Sequence, residues 1–112
     1  MKPRIGIIPG DPGGIGPELI AKLLAEDGVL DQADILLIGD RHLFEMGQAQ
    51  AGLEITMTDC DALTGDWSAG DWTDIDGLAL HDRETIAPEE VRVAEVTLAN
   101  GRSALGNLNC AL

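Results

Sequence analysis

The chain has 112 residues, 45% of them hydrophobic, and carries a formal net charge of −13. That length allows one domain, or part of one, with a modest core. The acidity repels nucleic-acid phosphates and anionic lipid, so both are excluded as partners, and an anionic substrate needs local help against the field.

The first element is a short apolar run, Arg4 to Ile8, bounded by turn residues as a buried strand is. A loop rich in glycine and proline follows, Pro9-Gly10-Asp11-Pro12-Gly13-Gly14-Ile15-Gly16. A helix is predicted from Pro17 to about Glu26. Proline suits the first helical position, because its fixed φ is helical and its missing N–H would go unpaired there. Glu18 meets the positive end of the helix dipole. Leu19 and Leu23, and likewise Ile20 and Leu24, share faces four residues apart. Asp27-Gly28 supplies a stop. Ala33 to Ile38 reads as a second buried, parallel strand. Asp40 then stands where a helix cap is required, and a helix is predicted from Arg41 to Gln50. A ligand contact at the strand end is the alternative role for Asp40.

Glu54 to Met57 suggests a third strand. The segment from Asp59 to Asp76 is irregular, with Asp59, Asp61, Asp66, Asp71, Asp74 and Asp76 beside Trp67 and Trp72. These aspartates lack the alternate spacing, central glycine and closing glutamate of an EF-hand loop, so a solvated loop folded down by its tryptophans is expected. Gly77 to His81 reads as another strand, and Val91 to Ala94 as a short one. Thr97 to Leu112 has Gly101, Ala104, Leu105, Leu108, Ala111 and Leu112 at helical spacing, which predicts one apolar face. Gly101 and Gly106 weaken that helix unless another backbone packs close to them. The chain stops inside this helix without a cap signal, which leads to the expectation of a truncated, N-terminal piece. Alternating strand and helix predict an α/β fold, a mostly parallel sheet with flanking helices, incomplete as it stands.

Chemistry is sparse. Cys60 and Cys110 have no metal-ligand spacing and are expected to be buried free thiols. His42 and His81 have no clustered partner, and surface or capping roles are expected for both. No signal-peptide core is present and no run is long enough to span a bilayer, so a cytoplasmic location is expected. The glycine loop carries the functional expectation. Glycines let other atoms approach the backbone, and helix-start N–H groups favour an anion. The loop lacks the Lys-Ser or Lys-Thr pair of a P-loop, and Leu19 stands where a third dinucleotide-fingerprint glycine belongs. Asp11, Gly13 and Gly14 are the candidate cofactor-binding residues. A turn in which Asp11 bonds its own backbone is the competing reading.

The run Gly10-Asp11-Pro12-Gly13-Gly14-Ile15-Gly16-Pro17-Glu18-Leu19 resembles the N-terminal signature of the 4-hydroxythreonine-4-phosphate dehydrogenase family of pyridoxal phosphate synthesis. Isocitrate and isopropylmalate dehydrogenases carry a shorter version. Ala99-Asn100-Gly101-Arg102-Ser103-Ala104 resembles the start of a family helix. The run from Arg92 to Gly101 looks more like the sugar-acid-phosphate branch, whose substrates include threonate and erythronate phosphates. The resemblance covers this whole chain but only the N-terminal part of a family member. It implies an isocitrate/isopropylmalate-dehydrogenase-like fold of two domains, a homodimer, and NAD-dependent oxidation of a phosphorylated hydroxy acid at a divalent metal. The family's metal-binding histidines lie beyond residue 112, so no catalytic or metal residue maps onto this chain, and the chain alone is expected to be inactive. The competing reading is a stand-alone α/β module binding a small anion; a remnant without activity is the third.

Overall fold

The computed structural model describes residues 3–60 and 78–112. Its described elements are β1 (Arg4–Ile7), α1 (Gly16–Leu24), α2 (Val29–Gln32), β2 (Asp34–Gly39), α3 (Arg41–Ala51), β3 (Met57–Asp59), β4 (Leu78–Asp82), a 3-10 turn (Pro88–Glu90) and α4 (Leu98–Ala111). The strands form one parallel sheet in the order β1-β2-β4-β3. The α/β expectation therefore holds, and β2, the apolar run, lies at its centre.

Strand alternation divides the core into two layers. Ile35, Leu37, Leu78 and Leu80 face one side, where Ile20 and Leu24 of α1 and Phe44 of α3 cover them. Leu36, Ile38 and Ala79 face the other side, where Cys110 and Ala111 of α4 rest. α1 and α3 pack on each other at Gly47, where an added Cβ would lie 2.1 Å from the Pro17 carbonyl oxygen. α3 closes on Gly52, whose φ of +70° lets its N–H reach Ala49 O, with Leu53 N–H reaching Gln48 O.

Several expectations need correction. β3 is Met57–Asp59, two or three residues later than the Glu54–Met57 strand expected, because the ladder to β4 and not the weak alternation sets its register. Gly28 does not stop α1, which ends at Leu24; at φ +85° it starts the short helix α2. Residues 91–94 form no strand. They turn back through Ala94, at φ +61°, whose N–H donates to Gly13 O at 2.7 Å. Of the aspartate-rich stretch, Asp59 belongs to β3 and pairs with Arg41 at 2.6 Å. Asp61, Asp66, Asp71, Asp74, Asp76, Trp67 and Trp72 lie outside the described residues, as does Gly77.

α4 departs furthest from its sequence pattern. Thr97 caps it, accepting the Asn100 N–H at 3.0 Å. Its buried residues are polar: Asn100, Ser103 and Asn107. Leu98, Leu105, Leu108 and Leu112 are exposed. The leucines thus point away from the sheet, while Asn100 and Ser103, held by hydrogen bonds, face inward together with Asn107, Cys110 and Ala111. Nor does a close backbone explain the helix glycines. A Cβ on Gly101 would meet nothing within 4 Å, and one on Gly106 only the Thr85 methyl at 3.8 Å. Gly101→Ala should therefore stabilise the chain by about 0.5–1 kcal/mol through helix propensity alone, read as a raised thermal midpoint. The two cysteines are free as expected, but half-buried instead of buried.

Candidate functional site at the carboxyl edge of the sheet

In an open α/β sheet, ligands bind beyond the carboxyl ends of the strands, where successive connections leave for opposite faces. Here β2 leads into α3 on one face, while β4 leads on to α4 on the other. β2 and β4 are neighbours, with Gly39 paired to Asp82. Their ends therefore mark the switch point, and the described loops converge on it.

Asp40 sits there fully buried. It occupies the position before α3, and its backbone oxygen accepts the Leu43 N–H at 3.0 Å, but its side chain caps nothing. The cap comes instead from Asp82, whose Oδ1 accepts the Arg41 N–H at 3.2 Å. The Asp40 carboxylate turns to the loop after β4. Oδ1 accepts the Thr85 N–H at 2.8 Å and the Thr85 hydroxyl at 2.9 Å, and Oδ2 accepts the Ile86 N–H at 2.9 Å. A buried carboxylate is tolerated only when donors replace its water in this way. Since the Thr85 hydroxyl hydrogen is committed to the carboxylate, Ser103 Oγ of α4 must donate to Thr85 Oγ1.

His42 extends the cluster. Its Nε2 lies 2.7 Å from Ile86 O and 3.3 Å from Asp40 Oδ2. Both are acceptors, so Nε2 carries a hydrogen. The histidine expected at the surface or in a cap is thus half-buried and braces the loop. Beside it opens a cleft of about 440 Å³ lined by Arg41, His42, Glu45, Asp82, Glu84 and Ile86 to Pro88. Glu84 holds a left-handed φ of +51°, an uncommon conformation for a non-glycine residue. His81 shares the Ile38 face of the sheet, whereas Asp82 reaches α3 from the strand end, so the adjacent pair does not act together.

The glycine-rich loop lies on the same edge. A Cβ on Gly39 would meet the Pro9 ring at 2.9 Å, so this loop is seated directly on the end of β2. Asp11 makes the local turn: its Oδ1 accepts the Gly13 N–H at 2.8 Å, and its carbonyl accepts the Gly14 N–H at 2.9 Å. Gly13 is buried beneath residues 92–95, where a Cβ would stand 2.3 Å from Arg92 O and 2.6 Å from Asn100 Nδ2. Asn100 Nδ2 donates to Arg92 O at 3.1 Å and to Glu95 O at 3.3 Å. Of the three candidate residues, Gly13 therefore faces its own chain, while Asp11 and Gly14 are exposed. Gly13→Ala should cost about 2–3 kcal/mol, because the opposing atoms include backbone that cannot swing aside; chemical denaturation reads the loss.

Sequence reading missed Thr85, Ile86, Ser103 and Asn100. Thr85 and Ile86 lie 45 and 46 residues from Asp40, and no local spacing connects them. Buried Asn107 has neither amide atom partnered among the described residues, and the same holds for Asn100 Oδ1 and Arg83 Nε. Among the described residues no group of three or more His, Cys, Asp and Glu side chains could hold a metal. No helix of the described residues is long and apolar enough to cross a membrane.

No family model matches the sequence. Individual relatives do. The chain is 38% identical over 116 residues to a Rhizobium meliloti protein named 4-hydroxythreonine-4-phosphate dehydrogenase 2, covering 99% of this chain and 30% of that protein. It is 32% identical over 111 residues to a D-threonate 4-phosphate dehydrogenase of Oceanobacillus iheyensis, covering 99% of this chain and 32% of the relative. A crystal structure of a 4-hydroxythreonine-4-phosphate dehydrogenase from Burkholderia phymatum superposes with a TM-score of 0.80 at 27% identity, over 99% of this chain and 32% of that one. Together, sequence and fold place the chain in the family of 4-hydroxythreonine-4-phosphate dehydrogenases and their D-threonate 4-phosphate relatives, about 30% of whose length it spans.

Proposed function

We propose that the chain is the N-terminal part of a two-domain, homodimeric dehydrogenase. That enzyme would use NAD and a divalent metal to oxidise, and decarboxylate, a phosphorylated hydroxy acid such as 4-phosphohydroxy-L-threonine or threonate or erythronate 4-phosphate. The observation that carries this reading is the placement of the loop from Pro9 to Ile15 at the carboxyl edge of a parallel sheet, with Pro9 against the end of β2. A nicotinamide cofactor would accept the hydride in such a reaction. The described residues do not fit a metal centre, so no metal step is assigned to them. Their part is to shape one wall of the cleft. Asp11 and Gly14 are exposed in the loop after β1. Ile15 and Gly16, at the start of α1, have N–H groups that donate to no backbone carbonyl among the described residues, as suits an anionic oxygen.

The 112 residues by themselves are expected to be inactive. The test follows NADH formation in a full-length protein carrying this chain, given hydroxythreonine phosphate, threonate phosphate or erythronate phosphate with a divalent metal. Turnover of one of the three by the full-length protein and none by the 112-residue chain is the expected pattern. Turnover of none by the full-length protein would defeat the dehydrogenase reading, and NADH formed by the chain alone would refute its inactivity. The N–H groups at the start of α1 also suit a small-anion-binding module without catalysis. Shifts of the Ile15 and Gly16 amide resonances on adding inorganic phosphate, with no turnover in the full-length protein, would favour that reading.

A further inference from the structure

α4 has two faces of different chemistry. Toward the sheet it turns Asn100, Ser103, Asn107, Cys110 and Ala111. On the opposite side Leu98, Gly101, Leu105, Leu108 and Leu112 recur at alternating intervals of three and four residues, the a and d positions of a heptad. All five are exposed, Leu98 by 69%, Leu105 by 59% and Leu108 by 42%. Such a row is the seam along which one helix packs on another. Gly101 has no purpose within its own chain, since a Cβ there would meet nothing within 4 Å. A glycine in that place nevertheless weakens the helix by about 1 kcal/mol relative to alanine. The charge pattern singles out the same element. From Val96 to Leu112 the one charged residue is Arg102, so the whole net charge of −13 arises elsewhere in the chain.

We infer that this seam is a self-association surface, on which α4 of a second copy of the chain packs antiparallel about a two-fold axis. Register selects a second copy. In an antiparallel pair each a position lies against a d position of the other helix. Matching Leu98 of one copy to Leu108 of the other then sets Gly101 against Leu105, and by symmetry Leu105 against Gly101. The large side chain in each of these layers meets the position that has none. The glycine that no contact within the chain explains becomes the hole that receives the leucine. Charge selects the same occupant. Two strongly acidic chains repel each other, and they can approach most easily through a face that carries no carboxylate on either side. The 14 residues of α4 are few for a free coiled coil, but the helix is already formed and seated on the sheet. Association therefore does not bear the cost of nucleating it. None of this rests on the dehydrogenase reading.

Sedimentation of the 112-residue chain over a range of concentrations tests this. A monomer–dimer equilibrium in the micromolar range is expected, and it should tighten as salt screens the repulsion between the two chains. Leu105→Lys should weaken the dimer by roughly tenfold or more, with an unchanged circular dichroism spectrum, since the side chain is exposed in the single chain. The substitution lowers the net negative charge of each copy, so overall repulsion cannot account for that loss. Leu19→Lys, at a comparably exposed leucine of α1, should leave the dimer unchanged. A mixture of isotope-labelled and unlabelled chains reads the register: filtered NOEs should connect the Leu105 methyls of one copy to the Gly101 Hα of the other. A monomer at every concentration would assign the seam to another part of a longer protein or to a different partner, and would overturn the inference. So would open-ended aggregates, a dimer indifferent to Leu105→Lys or equally weakened by Leu19→Lys, or NOEs joining Leu105 to Leu105 as in a parallel pair.

Discussion

Asp40→Asn should destabilise the chain by about 3–5 kcal/mol, enough to take a typical small domain close to its unfolding threshold. The side chain keeps its size, so the effect isolates the carboxylate. Oδ1 takes two hydrogen bonds from Thr85 and Oδ2 one from Ile86, with His42 Nε2 also at hand. Turning either oxygen into NH2 sets donor against donor in a buried place. Loss of a charge-assisted bond accounts for roughly 1.5–3 kcal/mol, and the donors left unsatisfied account for the rest. Urea denaturation reads the difference, and a loss below about 1 kcal/mol, the worth of one ordinary neutral bond, would show that the clamp is not what holds the loop. Thr85→Val offers the partial version: the backbone N–H bond to Asp40 survives, while both hydroxyl contacts are lost.

Gly47→Ala sets two magnitudes against each other. In the interior of a helix, alanine is better than glycine by about 1 kcal/mol. The new methyl, however, would stand 2.1 Å from Pro17 O, 2.2 Å from Pro17 C and 2.9 Å from Glu18 N. All three are backbone atoms, so only separation of α1 from α3 relieves the overlap. Overpacking of this kind costs roughly 1–3 kcal/mol and more where backbone must move, so steric repulsion wins and a net loss of about 2–3 kcal/mol is expected. A thermal midpoint unchanged or raised in Gly47→Ala would contradict the close packing of the two helices. The same change displaces the start of α1, so the anion-facing N–H groups should be disturbed with it.

Legibility differed from element to element. β2 was plain because a strand covered on both faces must be apolar at nearly every position, and Ile35 to Ile38 are all buried. α3 was plain because its register is local: Arg41 to Ala51, with Gly52 closing it. α4 was found nearly to the residue, yet its inward side was misread. Leu105 and Leu108 made a periodic stripe, while Asn100, Ser103 and Asn107 made another, and the polar one faces in. Nothing in the sequence around α4 announces that a loop 18 residues upstream will offer it a hydroxyl. Asp40 shows the same limit. Its position before a helix pointed to a cap, but Asp82 from the neighbouring strand took that task and freed the Asp40 carboxylate for the loop after β4.

What the sequence by itself determined was the family, the α/β class, and the placing of a glycine- and proline-rich turn between the first strand and the first helix. Those features rest on interactions among residues close along the chain: apolar runs, proline at a helix start, an aspartate bonding two residues on. Only the tertiary structure decided which side of α4 is buried, which carboxylate caps α3, and that Gly13 faces its own chain while Asp11 and Gly14 are exposed. Each of those outcomes turns on donors and acceptors brought together by strand order across tens of residues, and a hydrogen bond depends on distance in space, which neighbours in sequence do not encode.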